Sequence, residues 1–314
     1  MSPALSAYEA IVGSSAVAQL RRIGEKLAGL RVVHVNSTRE GGGVAEILEW
    51  MVPHMRDVGV DASWEVIHGD SRFFEITKAI HNGLQGKIVD LPKKDWRIYQ
   101  DVNEKNAVRL RPLLEEADIV VIHDPQPAYL LRFCPNRKGR WIWRAHIDIS
   151  SPFRPVWKVL RTFVEKYDAS IFSMAEFAQP LPHPQFLVPP SIDPLSEKNR
   201  ELHPAELSGV RAEFGLDPER PLLVQISRFD RFKDPVGVIQ AYRLVRKVTP
   251  VQLVLAGGEA TDDPEGRAVL EDVLEAAEGD PDIHVLLLPS GAHRTINSLQ
   301  RLADIVLQKS TREG

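Results

Sequence analysis

The sequence predicts an α/β protein of two domains, each a mostly parallel sheet covered by helices on both faces. Three observations predict it. Short, strongly apolar strand candidates such as Asp118-Ile-Val-Val-Ile-His123 recur along the chain, and strands buried on both faces read as continuous apolar runs. Helix-length patterned segments alternate with them, which is the signature of βαβ units. The alternation breaks at a proline-rich stretch and then restarts, and 314 residues exceed the roughly 250 to 300 that one core usually supports.

The elements follow in order. Val17, Leu20, Ile23, Gly24 and Leu27 recur at helical spacing over 15–27. A short apolar strand, Arg31-Val-Val-His-Val35, leads through Gly41-Gly-Gly43 into 44–58, where Val44, Ile47, Leu48, Met51, Val52, Met55 and Val58 share one helical face. Pro53 removes one hydrogen bond inside that helix and is expected to bend it. Strands are expected at 63–67, 119–123, 141–145, 169–172 and 186–188, with helices at 73–81 and 156–166. Seven prolines between Pro180 and Pro204 disfavour continuous helix or central strand and mark an ordered connector. Beyond it the expected order is helix 207–214, strand 222–226, helix 235–248, strand 251–256, helix 265–278, strand 283–288, helix 296–301 and strand 305–307. The domains are accordingly placed at residues 1–190 and 191–314, with a cleft between them.

Composition narrows the function classes. A net charge of −4 and a pI near 6.2 provide no global positive field for nucleic acid or an anionic membrane. Cys134 is the single cysteine, so no internal disulfide can form, and no export leader or membrane-length apolar run is present; a cytoplasmic location is expected. The histidines lack zinc-site spacing, and no Gly-x-Ser-x-Gly elbow, Gly-x-Gly-x-x-Gly fingerprint or Gly-x-x-x-x-Gly-Lys-Ser/Thr loop occurs. No residue pattern requires a metal or other cofactor, and Mg2+ dependence is not specified. A homodimer is compatible with the sequence but not specified by it.

Two loops are placed for anion chemistry. Gly41, Gly42 and Gly43 lie between strand and helix, where absent side chains admit a ligand to the backbone and a helix start offers amide hydrogens; a plain tight turn explains the same glycines. Gln225-Ile-Ser-Arg-Phe-Asp-Arg-Phe-Lys-Asp-Pro235 leaves a strand with Arg228, Arg231 and Lys233 and enters a helix through Asp234 as N-cap and Pro235 in the first position. A diphosphate suits those cations. Local neutralisation by Asp230 and Asp234 is the competing reading. Polar clusters at strand ends, His123-Asp-Pro-Gln126, Arg144-Ala-His-Ile-Asp148 and 64–70 with His68, suit sugar hydroxyls, and equally suit caps and turns.

Several longer stretches are more specific together: His34-Val-Asn-Ser-Thr-Arg-Glu-Gly-Gly-Gly-Val-Ala-Glu46, 73–86, Val121-Ile-His-Asp-Pro-Gln-Pro127, Trp141-Ile-Trp-Arg-Ala-His-Ile-Asp-Ile-Ser150 and 190–198. In these the chain resembles retaining GT-B glycosyltransferases of the large family 4, and within it the branch of trehalose glycosyltransferring synthases and trehalose phosphorylases. The resemblance implies a GT-B fold of two Rossmann-like domains. It implies transfer of glucose from ADP- or UDP-glucose to free glucose with retention, giving α,α-trehalose. By resemblance the first domain holds the acceptor, with Gly41 to Gly43 near donor phosphate and acceptor, and Asp124, His146 and Asp148 in sugar-contacting or near-catalytic stretches. Arg228 and Lys233 match the donor-phosphate pair, and Glu313 the first acid of a Glu-x7-Glu element that contacts donor sugar and then ribose. His146, Arg228, Lys233 and Glu313 are thus the implied catalytic set. The sequence ends at Gly314, before the second acid, so the second domain is expected to be incomplete. Phosphate-dependent trehalose phosphorolysis, or sugar binding without turnover, are the alternatives.

Overall fold

The computed structural model describes residues 4–40, 42–258, 265–289 and 291–313. Two compact units divide the chain, Met1–Ser191 and Ile192–Glu313.

The first unit opens with α1 (Glu9–Val12) and α2 (Ser14–Leu27), then runs β1 (Arg31–Asn36), α3 (Gly43–Asp57), β2 (Asp61–Val66), α4 (Ser71–Leu84) and α5 (Lys93–Glu116). It continues with β3 (Ile119–His123), β4 (Arg140–Arg144), α6 (Arg154–Val164), β5 (Ala169–Phe172) and β6 (Gln185–Leu187). The six strands form one parallel sheet in the order β2-β1-β3-β4-β5-β6. β4 lies inside the sheet, so both alternating tryptophans, Trp141 and Trp143, are fully buried. Each such ring contributes roughly 1.5–3 kcal/mol or more by leaving water, so packing accounts for both. α3 passes through Pro53 without ending. β6 falls within the proline-rich stretch as an edge strand whose side chains are exposed, the place where a sheet tolerates neighbouring prolines.

The 24-residue α5 has no counterpart among the expected elements. Its buried stripe is Asp95, Tyr99, Asn103, Asn106, Ala107, Leu110 and Leu114, and an aspartate and two asparagines interrupt an otherwise helical apolar pattern. Pro112 also lies within the helix. Both asparagines are used. Asn106 donates from Nδ2 to the His68 carbonyl and accepts from the His68 N–H through Oδ1, each at 2.7 Å; Asn103 donates to the carbonyls of Tyr99 at 2.9 Å and Gln126 at 3.1 Å. A pattern reading that scores only apolar residues cannot see a helix face that ties down loops.

The second unit runs α7 (Pro204–Glu213), β7 (Leu222–Ile226), α8 (Pro235–Arg246), β8 (Gln252–Gly257), α9 (Gly266–Ala277), β9 (Ile283–Leu287), α10 (His293–Leu302) and β10 (Ile305–Val306). Its four strands are parallel in the order β10-β7-β8-β9. β8 is buried along its full length, whereas the edge residues Ile305 and Val306 are more than half exposed, as expected of a strand with a single neighbour. Gly257 is required where β8 ends, because a Cβ there would lie 1.8 Å from the Ser227 carbonyl oxygen.

Candidate functional site

In each sheet the strand order reverses once, and open parallel sheets gather ligands outside the carboxyl ends of the strands at such a reversal. The reversal lies between β1 and β3 in the first unit and between β7 and β10 in the second. Nearly all the residues singled out from sequence follow these four strands or the neighbouring β4.

At the end of β1, Asn36 donates from Nδ2 to the Thr38 carbonyl and accepts from Trp64 Nε1, both at 2.7 Å. Arg39 lies 4.1 Å over the Trp64 ring and donates to the Trp64 carbonyl at 3.0 Å. The approach to the glycine run is thereby pinned to β2. Gly41 falls outside the described residues. Gly43 starts α3, and its N-cap residue, Gly42, supplies no side-chain cap. Neither has a positive φ, and a Cβ at either would meet nothing within 4 Å. The tight-turn explanation therefore does not account for glycine at positions 42 and 43.

β3 and β4 bring Asp124 and His146 together. The Asp124 Oδ1 accepts the His146 N–H at 2.7 Å, its own N–H donates to the Arg144 carbonyl at 2.8 Å, and its carbonyl accepts from Trp143 Nε1 at 3.0 Å. Its φ is +64°, a left-handed conformation costing a non-glycine residue on the order of 1–3 kcal/mol and kept where the surroundings over-determine it. Asp124 thus shapes the end of β4. Asp148 is buried and accepts the Ser150 N–H at 2.8 Å. Asp70, grouped with His68 in sequence, caps α4 through the Phe73 N–H at 2.8 Å.

Behind His146 stands a feature that motif reading did not single out. His34, within β1, places Nδ1 3.0 Å from His123 Nε2, and His123 Nδ1 lies 2.9 Å from His146 Nε2. The rings form a linear hydrogen-bonded chain from the core outward and do not converge on a point. Among the described residues, no group of three His, Cys, Asp or Glu is arranged to hold a metal ion. Burial, reinforced by the Arg144 charge, pushes His34 down to about 4 and His146 to about 3. His123 is held well below its usual value by burial and then by His146, His34 and Arg144. All three rings are neutral at neutral pH. A histidine interrupting the apolar β1 was the available sequence signal.

In the second unit the loop after β7 behaves differently. Asp230 accepts the Phe232 N–H at 2.7 Å, and Asp234 caps α8 by accepting the Gly237 N–H at 3.1 Å, as expected of an aspartate before Pro235. Gln225 fixes the loop by donating to the Lys233 carbonyl at 2.8 Å. Lys233 does not pair with either aspartate: its Nζ lies 2.6 and 2.5 Å from the two oxygens of Glu313, 80 positions away. The segment after β10 is tied to the same loop by the Thr311 N–H donating to the Phe232 carbonyl at 2.7 Å, by Gln308 to Glu313 and by Lys309 to Asp234. Arg231 reaches Asp272 at 3.4 Å on the surface. Local neutralisation by Asp230 and Asp234 thus fails as an account of Lys233. Arg228, half-buried, follows β7 in the same loop.

Comparison with known proteins gives this arrangement a setting. Residues 34–179 match the family described as trehalose synthase, N-terminal domain, and residues 210–314 match glycosyl transferases group 1. The trehalose synthase of Thermococcus litoralis is 48% identical over 315 residues, covering 99% of this chain and 76% of that protein. A trehalose phosphorylase of Pleurotus pulmonarius is 27% identical over 365 residues, covering 99% of this chain and 49% of its own length. Among solved structures, a trehalose-6-phosphate synthase superposes with a TM-score of 0.70 at 16% identity, covering 89% of this chain and 78% of that one. A structure described as trehalose-6-phosphate from E. coli bound with UDP-2-fluoro glucose gives 0.69 at 16% identity, over 90% and 79%. Together they assign the GT-B fold to the chain.

Proposed function

The chain belongs to the trehalose synthase family of glycosyltransferases, enzymes of trehalose-related glycosyl transfer, and from that premise we propose that it makes α,α-trehalose from a nucleotide-diphosphate-glucose and free glucose with retention. In this reading residues 1–190 form the acceptor-side domain and 191–314 the nucleotide-sugar domain.

The observation that carries the reading is the Lys233–Glu313 pair at the β7/β10 reversal. A lysine against two carboxylate oxygens displays the chemistry of a lysine against phosphate oxygens. The pair is partly open, with side chains 24% and 42% exposed, so it is worth at most about 1 kcal/mol, and a doubly charged diphosphate can compete for the lysine. Lys233 and Arg228 then stabilise the leaving diphosphate as the anomeric carbon gains positive charge, and Glu313, released from Lys233, faces the donor sugar. Gly41, Gly42 and Gly43 admit phosphate or acceptor to the start of α3; Gly42 and Gly43 have the open space this requires. His146 contacts a sugar hydroxyl, with Asp124 fixing its backbone and Asp148 shaping the loop beyond.

The test is product analysis with ADP-glucose or UDP-glucose plus glucose. Trehalose and the free nucleoside diphosphate are expected in equal amounts. Phosphate-dependent cleavage of trehalose without any nucleotide-sugar activity would instead support the phosphorylase reading, which the Pleurotus relative keeps in play. Arg228→Ala is expected to weaken nucleotide-sugar use; unchanged donor kinetics would remove that residue from the site.

A further inference from the structure

The three-histidine chain has two ways to distribute its protons. A neutral imidazole carries one N–H and one lone pair, so each link fixes the next ring. If His34 is protonated on Nε2, its Nδ1 accepts from His123 Nε2–H, His123 Nδ1 accepts from His146 Nε2–H, and His146 is left with a lone pair on Nδ1. If His34 is protonated on Nδ1, every donor points the other way, and His146 is left with an N–H on Nδ1.

The inner end decides between them. His34 Nε2 is buried and has no hydrogen-bond partner among the described residues. The first wiring puts an N–H there with nothing to accept it, and a buried donor without an acceptor is the rarer and costlier defect. The second leaves only an unused lone pair. With Arg144 acting on all three rings, a chain carrying an extra proton is disfavoured, and the tautomer is the remaining freedom. At the outer end, His146 is incompletely buried, its backbone N–H is fixed by Asp124, and its Nδ1 has no partner among the described residues.

We propose that His34 and His123 are positioning residues that lock His146 in the Nδ1–H tautomer, so that it presents a fixed N–H donor to a substrate oxygen. The use made of that donor rests on the sugar-contact reading of His146; the lock itself does not. Sugar hydroxyls both donate and accept, so a ring that can only donate fixes which hydroxyl orientation is bound. No chemical bond is made or broken by the relay.

The test is nitrogen NMR of the whole chain labelled with 15N-histidine, the His146 signals being identified by their loss in His146→Gln. The expected pattern is a protonated Nδ1 and an unprotonated Nε2 on His146. In His123→Leu, which cannot donate, that pattern should give way to a mixture or to the opposite tautomer. In His123→Asn, whose side-chain amide can still donate to His146 Nε2, it should persist. In the transfer assay His123→Leu should lower kcat by about 10- to 100-fold, by analogy with the loss of a group that orients a metal-binding histidine. KM for the nucleotide sugar should change little, and His123→Asn should recover most of the rate. A wild-type His146 protonated on Nε2 overturns the proposal, and this measurement stands even if His123→Leu fails to fold. Equal loss in the Leu and Asn variants also overturns it. The expected tautomer together with unimpaired transfer by His146→Ala would leave the lock standing and remove the sugar contact instead.

Discussion

The two units place candidate residues at the same topological position and by opposite electrostatic means. In the first unit, β1, β3 and β4 sink three neutral imidazoles into the sheet and expose one end of the chain. In the second, the segments after β7 and β10 meet through full charges on partly open side chains. Burial fixes geometry because neither a rotated ring nor an added proton is cheap in a dry core. An exposed ion pair fixes little, since water and salt screen it, and its partner can be exchanged for a ligand. One unit is built to orient, the other to trade charges.

The largest test of that contrast is Lys233→Ala. If Lys233 serves the departing diphosphate, kcat/KM for the nucleotide sugar should fall by about 10²- to 10³-fold, the usual effect of removing one preorganised donor to developing charge. Thermal stability should hardly move, because the pair with Glu313 contributes at most about 1 kcal/mol. A large drop in melting temperature with intact turnover would reverse the assignment and make the pair structural.

Acid should separate the units next. His34, held down at about 4, and His146, at about 3, regain ordinary values near 6.5 on unfolding. Between those limits the unfolded chain binds more protons than the folded one, so the stability of the first unit falls as pH falls below about 6.5 and levels off below the folded values. The slope is about 1.4 kcal/mol per pH unit for each histidine excluded from protonation. All six tryptophans lie within the first 191 residues, so tryptophan fluorescence during urea unfolding reports on that unit alone. Midpoints that stay constant from pH 7 to 4.5 would contradict burial of neutral rings.

Much of this was legible in the sequence, for identifiable reasons. Strands β1, β3, β5, β7 and β8 are short and apolar because they are covered on both faces, and Asp234-Pro235 announced the start of α8 through local chemistry alone. Arg228 and Lys233 were conspicuous as cations beside a strand end. What escaped notice depended on distance. α5 was hidden because Asn103 and Asn106 stand in its buried stripe, and their partners lie 23 and 38 positions away. His34 stands among apolar neighbours in β1, and only the pairing of β1 with β3 sets it against His123. Glu313 could be matched to a motif, but its contact with Lys233 exists only once β10 returns to the far side of β7.

The smallest predicted effect examines why the charged loop of the second unit keeps its shape. Asp234 sits in the left-handed region at φ +48°, which aspartate tolerates better than most residues, and accepts the Gly237 N–H. A Cβ on residue 237 would lie 2.2 Å from Asp234 Oδ2, closer than packing allows. Gly237→Ala should therefore destabilise α8, although alanine is otherwise the better helix former by about 1 kcal/mol. Asp234→Ala alone should cost about 1 kcal/mol through loss of the cap. With the carboxylate gone, the same Gly237→Ala change should become neutral or stabilising. Amide hydrogen exchange across 235–246 in the two single variants and the double variant measures this coupling. Equal cost in both backgrounds would mean that something other than the cap demands glycine there, and that the loop carrying Lys233 is held by its backbone rather than by the contact between Asp234 and α8.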